Sequence, residues 1–222
     1  IPARGGSKRI HRKNIKQFCG KPIIAWPIEF VQRSGLFERI IVSTDDEEIA
    51  NVSKSYGAEV PFFRPDELSD DHTGTIDVVA HAISWMKEQQ LRPRVICCVY
   101  PTSVFITKED LIKGYDALNT KNWQYAISVT DYEYPIFRSF KKHPNGGLTM
   151  FFPEHFESRS QDLPHAFHDA AQFYWGKPEA WLSNLKLYDC HSFPVIIPRW
   201  RLQDIDTEDD WKRAELLFNI IN

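Results

Sequence analysis

The chain has 222 residues, 42% of them hydrophobic and 26% charged, which suits one globular domain and excludes a disordered or fibrous class. A formal net charge of -3 excludes a broad basic face for nucleic acid, and no run approaches the ~20 apolar residues of a membrane span. Cys19, Cys97, Cys98 and Cys190 form no CxxC pair, so buried thiols in a reducing compartment, and a cytoplasmic location, are expected.

Ile1-Pro2-Ala3 reads as a strand end that runs into a loop with paired glycines, Gly5-Gly6, and five cations, Arg4, Lys8, Arg9, Arg12 and Lys13. Lys21-Pro22 opens a helix through Ser34, with Pro27 forcing a late start or a kink and Gly35 ending it. Residues 39–44 read as a buried strand, 45–56 as a helix with an acidic first turn, and 59–62 as a short extended piece. After a polar loop, Ile76, Val79, Ala80 and Ile83 mark a long helix, and residues 95–100 read as a parallel-type strand, apolar throughout. Thr107-x-x-Asp110 resembles a capping box ahead of a helix that buries Leu111, Ile112, Tyr115 and Leu118, and residues 125–129 are another strand. From 131 to 177 helical periodicity gives way to crowded aromatics, with a hairpin centred on Asn145-Gly146-Gly147. A short helix from Pro178 to Leu185, a strand over 193–197 and a helix from Asp206 to Asn222, with Trp211, Ala214, Leu217 and Ile221 inward, complete the chain. This alternation predicts an α/β fold: one Rossmann-like, mostly parallel sheet with helices on both faces, in a single domain, with 131–177 as a β-rich excursion.

The N-terminal loop lacks GxxxxGK[ST] and GxGxxG, so it is neither a Walker A loop nor a dinucleotide fingerprint. Its glycines directly follow a strand and its cations flank them, which places positive charge at the carboxyl edge of an open sheet, where ligands bind. Adjacent glycines let backbone N–H groups face an anion, so the loop reads as a triphosphate cradle, against the alternative of a solvated basic turn. Asp204 and Asp206, one residue apart, offer hard oxygen ligands for Mg²⁺, with Mn²⁺ as a substitute; Asp206 or Thr207 could instead cap the last helix. For Arg64 alone a surface ion pair competes with a binding role, Thr75 is also a plausible helix cap, and the acids at 69–71 fit a solvated turn.

Ala3-Arg4-Gly5-Gly6-Ser7-Lys8-Arg9-Ile10 followed by Lys13-Asn14 resembles the nucleotide loop of the cytidylyltransferases that activate sialic acids and related nine-carbon 2-keto sugar acids. Further matches run in order along the chain: Gly20-Lys21-Pro22, Ser43-Thr44-Asp45-Asp46, Arg64-Pro65-x-Glu67-Leu68, Pro101-Thr102-Ser103, Arg159-Ser160-Gln161-Asp162 and Asp204-Ile205-Asp206-Thr207. The segments 167–176 and 201–206 look most like the pseudaminic acid branch, whose products glycosylate bacterial surface structures such as flagella. The resemblance implies that Arg4, Lys8 and Lys13 hold the phosphates of CTP, that Ala3, Gly5, Gly6, Ser7 and Asn14 shape and contact the nucleotide, and that Arg64 and Thr75 read the cytidine. It implies that Asp204 and Asp206 bind the divalent metal, with Arg4, Lys13 and Asp204 central to catalysis. Arg159 is the expected partner of the sugar carboxylate, with Gln161, His168, Asp169 and Gln172 on the hydroxyl and acetamido groups and His168 a candidate base. Members of the family dimerise through the excursion, so a homodimer is expected. Asp169-Ala170-Ala171-Gln172 departs from the Asn-Gly-Ala of the wider sialic acid group, which directs the reading away from N-acetylneuraminate. The same reaction on N-acetylneuraminate, legionaminate or Kdo, a non-catalytic nucleotide-binding protein, and an RNA-binding phosphate module are the rival readings; neither nucleic acid nor membrane is expected as a partner.

Overall fold

The computed structural model describes residues 1–221. In chain order the elements are β1 (Gln17–Phe18), β2 (Lys21–Pro22), α1 (Ala25–Ser34), α2 (Glu47–Ser55), α3 (Thr75–Glu88), β3 (Ile96–Val99), α4 (Lys108–Thr120), β4 (Tyr125–Asp131), β5 (Phe140–Lys142), β6 (Leu148–Met150), β7 (Phe167–Gly176), α5 (Pro178–Leu182), β8 (Ser192–Ile196) and α6 (Glu208–Ile221). The predicted C-terminal helix is α6; its expected last residue, Asn222, lies outside the described residues.

Local chemistry accounts for most element ends. Asp46 caps α2 by accepting from the Ile49 N–H at 2.9 Å, and Glu47 and Glu48 place negative charge at its positive end. Thr107 and Asp110 form the full capping box of α4. Gly35 stops α1 in the left-handed region, at φ 68°, which costs glycine little. Lys21 and Pro22 do not open α1, contrary to expectation. They pair with β1, and the helix begins at Ala25, so that Pro27 falls in the first turn, where a missing N–H breaks no helical bond. In α6, Trp211, Ala214 and Phe218 face inward, whereas Ile221, expected there, is exposed.

The central sheet is mixed, less parallel than the apolar runs predict. Its order is β3-β7-β4-β8, with β4 and β8 parallel. β7 runs back from the excursion and inserts antiparallel between β3 and β4. An interior strand covered on both faces is apolar in either orientation, so residues 95–100 carry no mark of direction. Segments 1–3, 41–44 and 59–63 add single parallel bridges, Pro2 to Ser43, Ile41 to Glu59 and Thr44 to Phe63. β5 and β6 form the expected hairpin of the excursion.

Two large apolar clusters cover the sheet. One sets Trp175 against Phe37, stacked at 5.3 Å, with Leu111, Leu118 and Val195; the other gathers Ile83, Tyr125, Tyr174 and Trp181. A third lies at the edge of the fold that carries the candidate site. There Ile10 of the N-terminal loop and Ile205, both essentially unexposed, meet Phe18, Ile23, Phe105, Trp211 and Phe218. Full burial of an isoleucine contributes about 1.5–3 kcal/mol, so this cluster fixes two segments far apart in sequence side by side.

Candidate active site

The loop 4–13 lines a cavity of about 480 Å³ with Arg4, Ser7, Lys8, Arg9, Lys13 and Asn14, together with Arg64, Asp71, Thr73, Thr75, Tyr100 and Thr102 among others, and the segment 204–206 joins the loop through Arg9 and Lys13. Ile205 is buried between two aspartates that face solvent, as an extended segment requires when one side is core. Lys13 Nζ donates to the Ile205 carbonyl at 2.6 Å and lies 3.5 Å from Asp206, joining parts of the chain 192 residues apart. Arg9, expected as flanking charge, pairs with Asp206 at 2.7 Å.

The two aspartates after the segment 41–44 hold the other side of the loop. Asp45 Oδ1 accepts the Gly5 N–H at 2.8 Å. The N–H of Gly5, expected to face a phosphate, therefore faces an internal carboxylate. A Cβ on Gly5 would come within 2.7 Å of Asp46 Oδ2, so glycine is needed here for close approach. Arg12 donates a bidentate pair to Asp46, at 3.0 and 2.8 Å, and its Nη2 also lies 2.8 Å from Glu48. Arg12 holds this position from a left-handed backbone, φ 49° and ψ 39°, unusual for a non-glycine residue. The Arg12 guanidinium holds the Asp46 carboxyl below its ordinary pKa, with the helix-capping N–H of Ile49 adding to the effect. Asn14 is buried, and its amide donates to the Arg4 carbonyl at 2.9 Å, closing the loop on itself.

The residues expected to read the base are also placed by this geometry. Arg64 is only 6% exposed, donates from Nε to Ser43 Oγ at 3.1 Å, and donates from Nη2 to the Ser43 carbonyl. Burial lowers its pKa from the ordinary value, Asp45 partly offsets this, and Arg4 adds to it. Thr75 opens α3 but makes no capping bond of its own. Its hydroxyl meets Tyr100 OH at 2.5 Å, in the cavity wall. Ala3 is fully buried and bonds to the Ser43 carbonyl, so it offers the cavity no exposed side chain. Gly6 has open space around it.

The five residues expected to bind the sugar are not among those lining this cavity. Arg159 pairs with Asp162 at 2.6 Å on an exposed turn, and Gln161 is exposed beside it. His168 is exposed, with Nδ1 2.9 Å from the Asp169 carbonyl and its ring against Tyr132. Asp169 and Gln172 instead serve β7. Asp169 accepts the Ala171 N–H at 2.8 Å, where Ala171 has φ 47°, and takes the hydroxyls of Tyr188, at 2.9 Å, and Tyr174. Gln172 is 2% exposed and donates to the Ala170 carbonyl at 3.1 Å. The register slip between Ile127 and Val129 sends two successive N–H groups, of Gln172 and Phe173, to the single Ser128 hydroxyl. The Gln172 amide oxygen, Oε1, is buried without a hydrogen-bond partner among the described residues.

Asp204 and Asp206 offer hard oxygen donors of the kind a divalent cation takes, those of Asp206 being paired with Arg9 and Lys13. Burial, and then the neighbouring Asp206 charge, raises the Asp204 pKa above its ordinary 3.8, although its outer side meets water; a bound cation would relieve that repulsion. Sequence reasoning passed over Asp71 and Asp46 as site residues, because an acid in a polar turn or a helix cap looks the same whether or not a cation comes to it. It also left Tyr100 out, although its place just after an apolar strand was the available signal.

A family model described as cytidylyltransferase matches residues 1–196. The chain belongs to the cytidylyltransferase family. It is 41% identical over 220 residues, 99% of its length and 95% of the relative's, to the pseudaminic acid cytidylyltransferase of Campylobacter jejuni serotype O:2. It is 37% identical, over 99% of its length and 95% of the relative's, to the CMP-N,N'-diacetyllegionaminic acid synthase of Legionella pneumophila. Among solved structures, a CMP:2-keto-3-deoxy-manno-octonic acid synthetase complexed with CTP superposes with a TM-score of 0.73 at 13% identity, covering all of this chain and 98% of that one, which shows the shared nucleotidyltransferase fold. Among the described residues no helix is long and apolar enough to cross a membrane.

The Arg12–Asp46 pair generates a stability test. Because the folded Asp46 pKa is depressed, the stabilisation is present above the unfolded value, near 3.8, and is lost as pH falls through the lower folded value. Arg12→Ala is expected to cost about 1–3 kcal/mol at pH 7 in urea unfolding, with the gap to wild type closing in acid. A gap that stays constant down to the acid limit would remove the ion pair as its cause.

Proposed function

We propose that this chain is a pseudaminic acid cytidylyltransferase: it transfers CMP from CTP to the anomeric hydroxyl of pseudaminic acid and releases pyrophosphate. The observation that carries the sugar assignment is the 41% identity to the Campylobacter jejuni enzyme across nearly the whole of both chains. The Legionella relative supports a second reading, N,N'-diacetyllegionaminic acid, through the same chemistry.

In this reading Arg4, Lys8 and Lys13 bind the triphosphate along the cavity, and Arg64, Thr75 and Tyr100 form the wall against the nucleoside. The anomeric oxygen attacks the α-phosphorus, a new P–O bond forms, and the bond to the bridging oxygen of the β-phosphate breaks. The electron pair leaves with pyrophosphate, and the hydroxyl proton passes to solvent or a carboxylate. Negative charge grows on the leaving group, so fixed cations that already face it lower the barrier without reorganising. Asp204 and Asp206 would hold Mg²⁺ or Mn²⁺, which supplies further neutralisation of the phosphate oxygens. Arg159 and Gln161, exposed on the excursion, remain the residues assigned to the sugar carboxylate and its neighbours.

The excursion also supports a homodimer. Tyr134, Phe140, Leu148, Phe151 and Phe156 are each more than half exposed, an apolar surface that a monomer rarely leaves to water. Sedimentation is expected to give two chains per particle, with Phe140→Asp and Phe156→Asp together shifting it to one; a wild-type monomer at every concentration would remove this interface. A cytoplasmic location follows from the CTP requirement and the unpaired cysteines, and periplasmic recovery on cell fractionation would contradict it.

The test of the activity is pyrophosphate release with CTP and a panel of pseudaminic, N,N'-diacetyllegionaminic, N-acetylneuraminic and Kdo acids. Pseudaminic acid is expected to give the highest kcat/KM; release with none of the four would sink the reading. Lys13→Ala and Asp204→Asn are each expected to lower turnover about 100-fold or more with the fold intact by circular dichroism. Near-normal turnover in either would contradict its role.

A further inference from the structure

The cations of the cradle are already occupied. Arg4 Nη1 lies 2.8 Å from Asp71 Oδ1, and Lys8 Nζ lies 2.5 Å from Asp71 Oδ2, so one carboxylate bridges the two. Arg4 Nη1 also donates to the Asp70 carbonyl at 2.5 Å. Asp71 and Thr73 line the same cavity as Arg4, Ser7, Lys8 and Lys13.

The loop that presents Asp71 is built for it. Asp70 Oδ1 accepts the N–H groups of His72, at 2.9 Å, and Thr73, at 2.7 Å, and the Thr73 hydroxyl at 2.6 Å. That hydroxyl also reaches the Glu67 carbonyl at 3.2 Å, and Ser69 bonds back to the Pro65 carbonyl at 2.9 Å. Asp70 thus does the structural work of the turn, and its neighbour bridges two cations that belong to another segment. The two oxygens of Asp71 make contacts that two phosphate oxygens would make. A triphosphate arriving at Arg4 and Lys8 would bring negative charge directly against that carboxylate, and the two cannot share the same donors without repulsion.

We infer that Asp71 is the resident counter-anion of the phosphate cradle: the triphosphate displaces it from Arg4 and Lys8, and its return competes with pyrophosphate for those cations and speeds product release. This rests on the cradle assigned under the proposed function, but not on which sugar acid is used. Before the triphosphate arrives, Asp71 neutralises cations that would otherwise repel one another. After transfer it offers the same two cations a partner that is tethered to the protein, at high effective concentration, while pyrophosphate diffuses away.

The test uses pyrophosphate alone, without divalent metal, titrated calorimetrically into the full chain and its Asp71→Asn and Asp71→Ser variants. Both variants are expected to bind pyrophosphate roughly tenfold more tightly than wild type, because the competing charge is gone. In turnover they are expected to show a lower KM for CTP, stronger product inhibition by pyrophosphate and a lower kcat. A loss of fold would abolish binding instead of tightening it, and circular dichroism melting identifies that case; Asp71→Ser, with a smaller side chain, then provides the second reading. Unchanged or weaker pyrophosphate binding in the folded variants would overturn the counter-anion role while leaving the cradle in place. Wild type and variants that all fail to bind pyrophosphate would overturn the cradle and the inference together.

Discussion

The site depends on the shared burial of Ile10 and Ile205. One lies in the N-terminal loop, the other between the two aspartates near the end of the chain, and both seal the same cluster around Phe18 and Trp211. Local structure would not bring these segments together. Once the apolar residues are buried, the flanking polar ones have no freedom to be elsewhere: Lys13 falls on the Ile205 carbonyl, and Arg9 falls on Asp206. Core packing therefore sets the spacing between the cations of the loop and the acid pair. Close-packed interiors transmit small shifts, so a change in this cluster would be felt in the site.

The second constraint is electrostatic. A loop with five cations would repel itself if each stood alone. Each is instead met by an acid from a different segment: Arg4 and Lys8 by Asp71, Arg9 and Lys13 by Asp206, and Arg12 by Asp46 and Glu48. Asp45 also takes the Gly5 N–H. These pairs differ in what they do. The Arg12 pair is bidentate, partly buried and tied to the cap of α2, so it fixes the loop. The pairs with Asp71 are more exposed and belong to a separate turn, so exchange of that carboxylate for phosphate disturbs little else. Positioned charge that is compensated until substrate arrives is a low-reorganisation arrangement for phosphoryl chemistry.

Much of the fold was legible because its signals are local. The Thr107–Asp110 box, the acidic start of α2, the Gly35 stop and the hairpin at 145–147 act within a few residues. The antiparallel insertion of β7 was not legible, because burial on both faces erases the alternation that would mark a strand's environment. Within the site, the cations of the N-terminal loop were readable from paired glycines that follow an apolar, strand-like start. Their partners were not, since ion pairs across dozens of residues leave no spacing pattern. The local partners of Asp169 and Gln172 were not legible for a related reason: Asp169 holding the left-handed turn at Ala171, and Gln172 bonding back to the Ala170 carbonyl, leave no pattern in the sequence.

The central claim is that the N-terminal loop is a triphosphate cradle sealed against the acid pair. A crystal structure of the chain with CTP tests it most directly. The account predicts phosphate oxygens within hydrogen-bonding distance of Arg4, Lys8 and Lys13, Asp71 withdrawn from the first two, and the Arg12–Asp46 pair unchanged. Density for the triphosphate away from this loop, with the Arg4–Asp71 contact intact, would contradict it.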